Sequence, residues 1–108
     1  MAPERYGVVL VTTASQAEAR ELAQHLLEQG LAACINFFPV HSTYLWQGQR
    51  QETEEWQLVI KTDLARFESL EAQIQALHSY DVPEIIALEI VKGSRPYLQW
   101  LGSSLQDP

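Results

Sequence analysis

The chain has 108 residues and 46 % apolar content, and seven Lys and Arg stand against fourteen Asp and Glu for a formal charge of −7. That length predicts a single domain over residues 1–108 with a modest core. The acidic balance, with no basic stripe to neutralise phosphates, predicts no nucleic-acid partner and no anionic membrane surface.

Residues 6–12 are Val-rich and nearly all apolar, as in a buried strand. Ser15 and Glu18 match a capping box. Ala19, Leu22, Ala23, Leu26 and Leu27 follow at helical spacing, with Glu21, Gln24, His25 and Glu28 on the polar side, and Gly30 is placed to end the helix. Residues 31–46 lose the helical period and are rich in β-branched and aromatic residues, with Pro39 marking an edge or bend. Gln47-Gly48 is a tight-turn signal. Residues 50–62 then alternate, with Trp56, Leu58 and Ile60 on one side and Glu55, Gln57, Val59 and Lys61 on the other. Asp63 is placed to cap a second helix whose face carries Leu64, Phe67, Leu70, Ile74, Leu77 and His78. A loop over 79–83 leads to a strand over 84–91. Ser94 precedes a closing helix over 97–105 that carries Trp100 and Leu101. The order β-α-β-β-α-β plus a terminal helix predicts an α+β, ferredoxin-like antiparallel sheet with two helices on one face.

The middle hairpin is too long for this domain. Two strands of about 13–14 residues reach on the order of 45 Å, whereas a first helix of about 15 residues spans roughly 22 Å. The overhang carries Tyr44, Leu45, Trp46 and Trp56, and bare edges with exposed aromatics favour association. A cyclic oligomer joined through Tyr44, Trp46 and Trp56 is the expectation.

The chemistry that such a fold can host is largely excluded residue by residue. One cysteine, Cys34, allows neither an internal disulfide nor a Cys-x-x-Cys metal loop. The five glycines are dispersed and form no phosphate loop, and no G-x-S-x-G or H-E-x-x-H occurs, so no catalytic residue is assigned. The lone cysteine and the absence of an apolar leader or of a roughly 20-residue apolar run predict a cytosolic chain. Three histidines remain: His25 on a polar helix face, His41 in the hairpin, and His78 at the end of the second helix, where the dipole favours an imidazolium. Lys61 and Glu55 lie six residues apart on one strand face, about 20 Å, and can share a cleft only across a subunit boundary.

Several segments read together as a family signature. They are Ala32-Ala33-Cys34-Ile35-Asn36, Pro39, Ser42-Thr43-Tyr44-Leu45-Trp46-Gln47-Gly48, Glu55 and Leu58-Val59-Ile60-Lys61-Thr62, then His78-Ser79-Tyr80-Asp81-Val82-Pro83-Glu84-Ile85-Ile86 and Tyr97-Leu98-Gln99-Trp100-Leu101. In this order they resemble the CutA divalent-cation tolerance family across essentially the whole chain. The resemblance implies a homotrimer built like PII signalling proteins and a non-enzymatic role in tolerance of divalent metals, copper above all, without an obligatory cofactor. Copper in some members is attributed to positions that match Val11, Leu77 and His78 here, so His78 alone is kept. The resemblance thus implies weak Cu²⁺ (or related divalent) binding at His78, with Cys34 as a second candidate ligand, and an inter-subunit cleft using Cys34, Lys61, His78, Tyr80 and Glu84, with Glu55 nearby. The alternative it implies is a PII-like sensor of a small anionic metabolite, with Lys61 as counter-ion; a scaffold acting through a partner is a third reading.

Overall fold

The structure, a computed structural model, describes residues 5–105. The elements run β1 (Tyr6–Thr13), α1 (Gln16–Glu28), β2 (Cys34–Trp46), β3 (Gln49–Asp63), a 3-10 turn (Leu64–Arg66), α2 (Phe67–Leu77), β4 (Ile86–Glu89) and α3 (Arg95–Ser104). The sheet order is β2-β3-β1-β4 with every pairing antiparallel, the expected ferredoxin-like arrangement.

Local chemistry sets the ends of these elements. Ser15 Oγ accepts from the Glu18 N–H at 3.1 Å, while the Glu18 carboxylate reaches back to the Ala14 N–H at 3.2 Å. Gly30, at φ 72°, donates to the Leu27 carbonyl, and Leu31 donates to that of Leu26, so a Schellman motif closes α1. Gln47 and Gly48 both hold positive φ, 52° and 80°, the signature of a type I′ hairpin turn whose twist matches its strands.

The core lies between the sheet and the two long helices. Val9, Val11, Leu58 and Ile60 meet Ala19, Leu22, Leu26, Leu70 and Ile74, all buried. Thr62 is buried among them, with its hydroxyl donated to the Leu31 carbonyl at 2.7 Å. The ladder register places Cys34 opposite Lys61, Phe38 opposite Gln57 and Val40 opposite Glu55, all on the face away from these helices.

Several expected boundaries move. Asp63 accepts from the Ala65 N–H and caps the 3-10 turn, so α2 starts only at Phe67 and has no side-chain cap. Leu77 is 49 % exposed: it lies nearly two turns from buried Leu70 on the same face, but as the last residue of α2 it stands at the end of the helix, in contact with solvent. The strand expected over 84–91 shrinks to four residues, and α3 starts at Arg95, where Pro96 suits the first turn. Trp56 is not part of the bare tip: it faces the helix side, pairs in register with Thr13, and packs its ring 6.3 Å from that of Phe37. Tyr44 and Trp46 do remain exposed on the overhang.

The molecule extends 47 × 26 × 22 Å, and the long axis is the length the hairpin requires. Ile60 anchors the sheet under both helices. Ile60→Ala is expected to lower unfolding free energy by about 2–5 kcal/mol in urea titration, and a loss below about 1 kcal/mol would show that the site collapses around the smaller side chain.

Candidate functional site

At the C-terminus of α2 the chain turns through His78, Ser79 and Tyr80, and three contacts pin this turn to three different elements. The His78 ring lies wholly buried, with Nε2 2.6 Å from the Thr12 carbonyl at the end of β1. Its Nδ1 faces the Tyr80 N–H at 3.0 Å. Ser79 donates its N–H to Glu18 Oε2 at 2.8 Å and its hydroxyl to Glu18 Oε1 at 2.9 Å, which ties the turn to α1. Tyr80 donates its O–H to Glu55 Oε2 at 2.8 Å, which ties it to the hairpin.

Glu55 sits one register position past the end of β1, where the sheet narrows to the hairpin alone. The residue is only 6 % exposed, and the Tyr80 hydroxyl supplies the donor that a buried carboxylate requires. Burial, and then the Glu55 carboxylate as hydrogen-bond acceptor and charge, push the Tyr80 phenol above its ordinary value, so it stays a donor. Gln57 donates Nε2–H to the Val11 carbonyl at 3.1 Å and lies 3.3 Å from Glu84 Oε2. Tyr44, Trp46, Glu55, Gln57, Tyr80 and Glu84 line a groove of about 720 Å³ beneath the overhang.

This groove gathers the expected residues Tyr80, Glu84 and Glu55, but not Lys61 or Cys34. Lys61 donates to Asn36 Oδ1 at 2.8 Å and lies 5.9 Å from the centre of the Tyr97 ring, four positions along β3 from Gln57. Cys34 pairs in register with Lys61 and is therefore in that separate place, about 13 Å from the Gln57 level. Among the described residues no three His, Cys, Asp or Glu side chains converge on a point that could hold a metal ion. His78 and Cys34 thus do not form a site within one chain: they lie at different positions along the sheet, and both His78 nitrogens already have partners.

The other two histidines are placed as follows. His25 is not simply solvated, because Nε2 lies 2.6 Å from Gln73 Oε1 and joins α1 to α2. His41 forms only a loose surface pair with Glu54 at 3.8 Å. Glu18 was legible as a cap, but its hold on Ser79 was not. The one available signal was that a capping box leaves a carboxylate oxygen free to bind elsewhere.

These observations define a small α+β protein of ferredoxin-like arrangement with a carboxylate-lined groove at the base of a long hairpin. The family model of the CutA1 divalent ion tolerance protein matches residues 7–104, and the chain belongs to that family. The divalent-cation tolerance protein CutA of Thermus thermophilus is 47 % identical over 87 % of this chain and 92 % of its own length. The structure of the periplasmic divalent cation tolerance protein CutA from Archaeoglobus fulgidus superposes with a TM-score of 0.91 at 33 % identity, covering 94 % of this chain and 99 % of that one. The chloroplastic CutA protein of Arabidopsis thaliana is 42 % identical over 93 % of this chain, which spans 56 % of the plant protein's length.

The expectation of a cytosolic chain is overturned by the periplasmic Archaeoglobus relative and the chloroplastic plant one. A single thiol excludes an internal disulfide but carries no address, so it could not decide the compartment.

Glu18 yields a test of the turn. Burial raises its carboxyl, but the Ser79 and Ala14 hydrogen bonds outweigh burial and hold it below its ordinary 4.5. A lowered folded-state value contributes stability that is present above pH 4.5 and lost as pH falls below it. Glu18→Gln is expected to cost about 1–2 kcal/mol at pH 7 in urea titration, and the gap to the unaltered protein should close in acid; a gap independent of pH would remove Glu18 ionisation from the account.

Proposed function

We propose that the chain is a non-enzymatic divalent-cation tolerance protein that works as a homotrimer and holds Cu²⁺ or a related ion weakly, with no obligatory cofactor. Tolerance follows from membership of the CutA1 family. The observation that carries the assembly is the uncovered outer face of the sheet. Leu10 pairs with Ile86 and Val8 with Leu88 there, and Ile86, Leu88 and Phe38 are all exposed. A lone soluble domain rarely leaves a contiguous apolar sheet face and a bare aromatic overhang in water, and a closed cyclic assembly covers both.

The groove supports the sign of the ligand. It carries Glu55 and Glu84, and among the described residues no Lys or Arg lines it. An anionic metabolite would meet like charge there, so the PII-like sensor reading is not adopted. Two carboxylates are too few for a rigid metal cage, and imidazole or thiolate donors would be needed for tight copper binding. The groove offers one imidazole besides the carboxylates, that of His41, and no thiolate among the described residues, so weak, salt-sensitive association is what this donor set supports.

Native mass spectrometry at micromolar concentration is expected to show a trimer; a monomer would sink the assembly. In calorimetry the heat of Cu²⁺ binding should shrink at higher ionic strength and in the Glu55→Gln/Glu84→Gln double variant. Unchanged heat in that variant would move the ion away from the groove.

A further inference from the structure

His78 has the environment of a strut rather than of a metal ligand. A ligating histidine commonly donates one ring N–H to a carbonyl and offers its other nitrogen to the metal. The first half of that arrangement is present, since Nε2 lies 2.6 Å from the Thr12 carbonyl, which can only accept. The second half is not. Nδ1 faces the Tyr80 backbone N–H at 3.0 Å, and an N–H can only donate, so the Nδ1 lone pair is already in use. The two bonds together define a neutral imidazole with its proton on Nε2. Glu18 does not compete for Nδ1: its Oε2 stands 3.7 Å away, beyond hydrogen-bonding distance, and accepts from the Ser79 N–H at 2.8 Å. The ring is 0 % exposed, so an incoming ion would have to open the turn before reaching it.

We infer that His78 is a positioning residue: its ring spans from the Thr12 carbonyl to the Tyr80 amide and thereby sets the Tyr80 hydroxyl on Glu55, at the wall of the groove. The rings of His78 and Tyr80 pack at 4.9 Å and 46°, so the contact is steric as well as polar. The bond from the Tyr80 N–H to the side chain two residues earlier has the connectivity of an Asx turn, with an imidazole nitrogen in place of an amide oxygen. Asparagine can therefore replace this half of the strut, although it lacks the reach to Thr12. Leucine fills comparable volume with no acceptor. The role assigned to His78 does not depend on where, or whether, an ion binds in the groove.

Hydrogen exchange at the Tyr80 amide, followed by NMR in the full-length protein, reads this role directly. His78→Asn is expected to keep the Tyr80 amide protected to within about threefold, and His78→Leu to speed its exchange at least about tenfold by removing the acceptor. Protection retained in His78→Leu would overturn the inference. A second measurement needs no variant, so it decides even if His78→Leu fails to fold. Zn²⁺ titrated into the unaltered protein should leave the His78 ring ¹⁵N resonances in the Nε2–H tautomer pattern. Movement of the Nδ1 resonance together with loss of Tyr80 amide protection would establish His78 as a ligand and overturn the strut. Calorimetry adds a third arm: Cu²⁺ affinity lowered tenfold in His78→Asn with Tyr80 protection intact would do the same.

Discussion

The ladder between β2 and β3 is the constraint on which the rest of this structure depends. It runs from Cys34↔Lys61 to Trp46↔Gln49, whereas β1 pairs β3 only from Tyr6↔Asp63 to Thr13↔Trp56. Up to Thr13 the hairpin is flanked by β1, which β4 joins from Gly7 to Leu10, and helices cover one face. Beyond it, two strands continue alone with no third strand and no helix to cover them. A two-stranded ribbon is marginal in water by itself, so the overhang requires either local support or a neighbour. The groove, the buried carboxylate and the bare aromatics all lie at or beyond that step.

Local support comes from the turn after α2. It brings the Tyr80 hydroxyl onto Glu55, one register position past the end of β1, and gives that carboxylate a donor. Leaving such a carboxylate buried without one would cost on the order of 1–3 kcal/mol or more, whereas the bond itself contributes about 1.5–3 kcal/mol because one partner is charged. The turn is held in turn by Glu18 and by the His78 ring. Exposed pairs such as Arg5–Glu89 and His41–Glu54 carry little weight beside these, since solvent screens them. Polar atoms in this region are matched, and among the described residues no buried side-chain nitrogen or oxygen lacks a partner.

The same step relates fold to function. The outer sheet face is apolar because antiparallel pairing puts Val8, Leu10, Ile86 and Leu88 side by side on the side the helices leave open. The groove is acidic because Glu55 and Glu84 converge there while Lys61 is held six residues along β3 from Glu55, on Asn36. The apolar face, carried by β1 and β4, and the acidic groove, at the base of the hairpin, thus lie on either side of the point where β1 stops.

What the sequence by itself determined are the features carried by short-range periodicity and capping. Element order, the alternation of β3, the Ser15 cap, the Gly30 terminator and the Gln47-Gly48 turn depend on residues within a few positions of one another, and all are present in the structure. The excess length of the hairpin was legible for the same reason, because strand rise per residue is nearly constant. Tertiary structure alone decided that Trp56 lies beside β1 rather than on the overhang, how short β4 became, and that Leu77 was left in water. It alone also decided the site. His78 reaches Thr12 across 66 positions, Ser79 reaches Glu18 across 61, and Tyr80 reaches Glu55 across 25. A histidine at a helix end reads as a site for an imidazolium until the partners of its two nitrogens are known: the Tyr80 amide is local, two residues on, but the Thr12 carbonyl comes from β1, and only the tertiary structure brings it there.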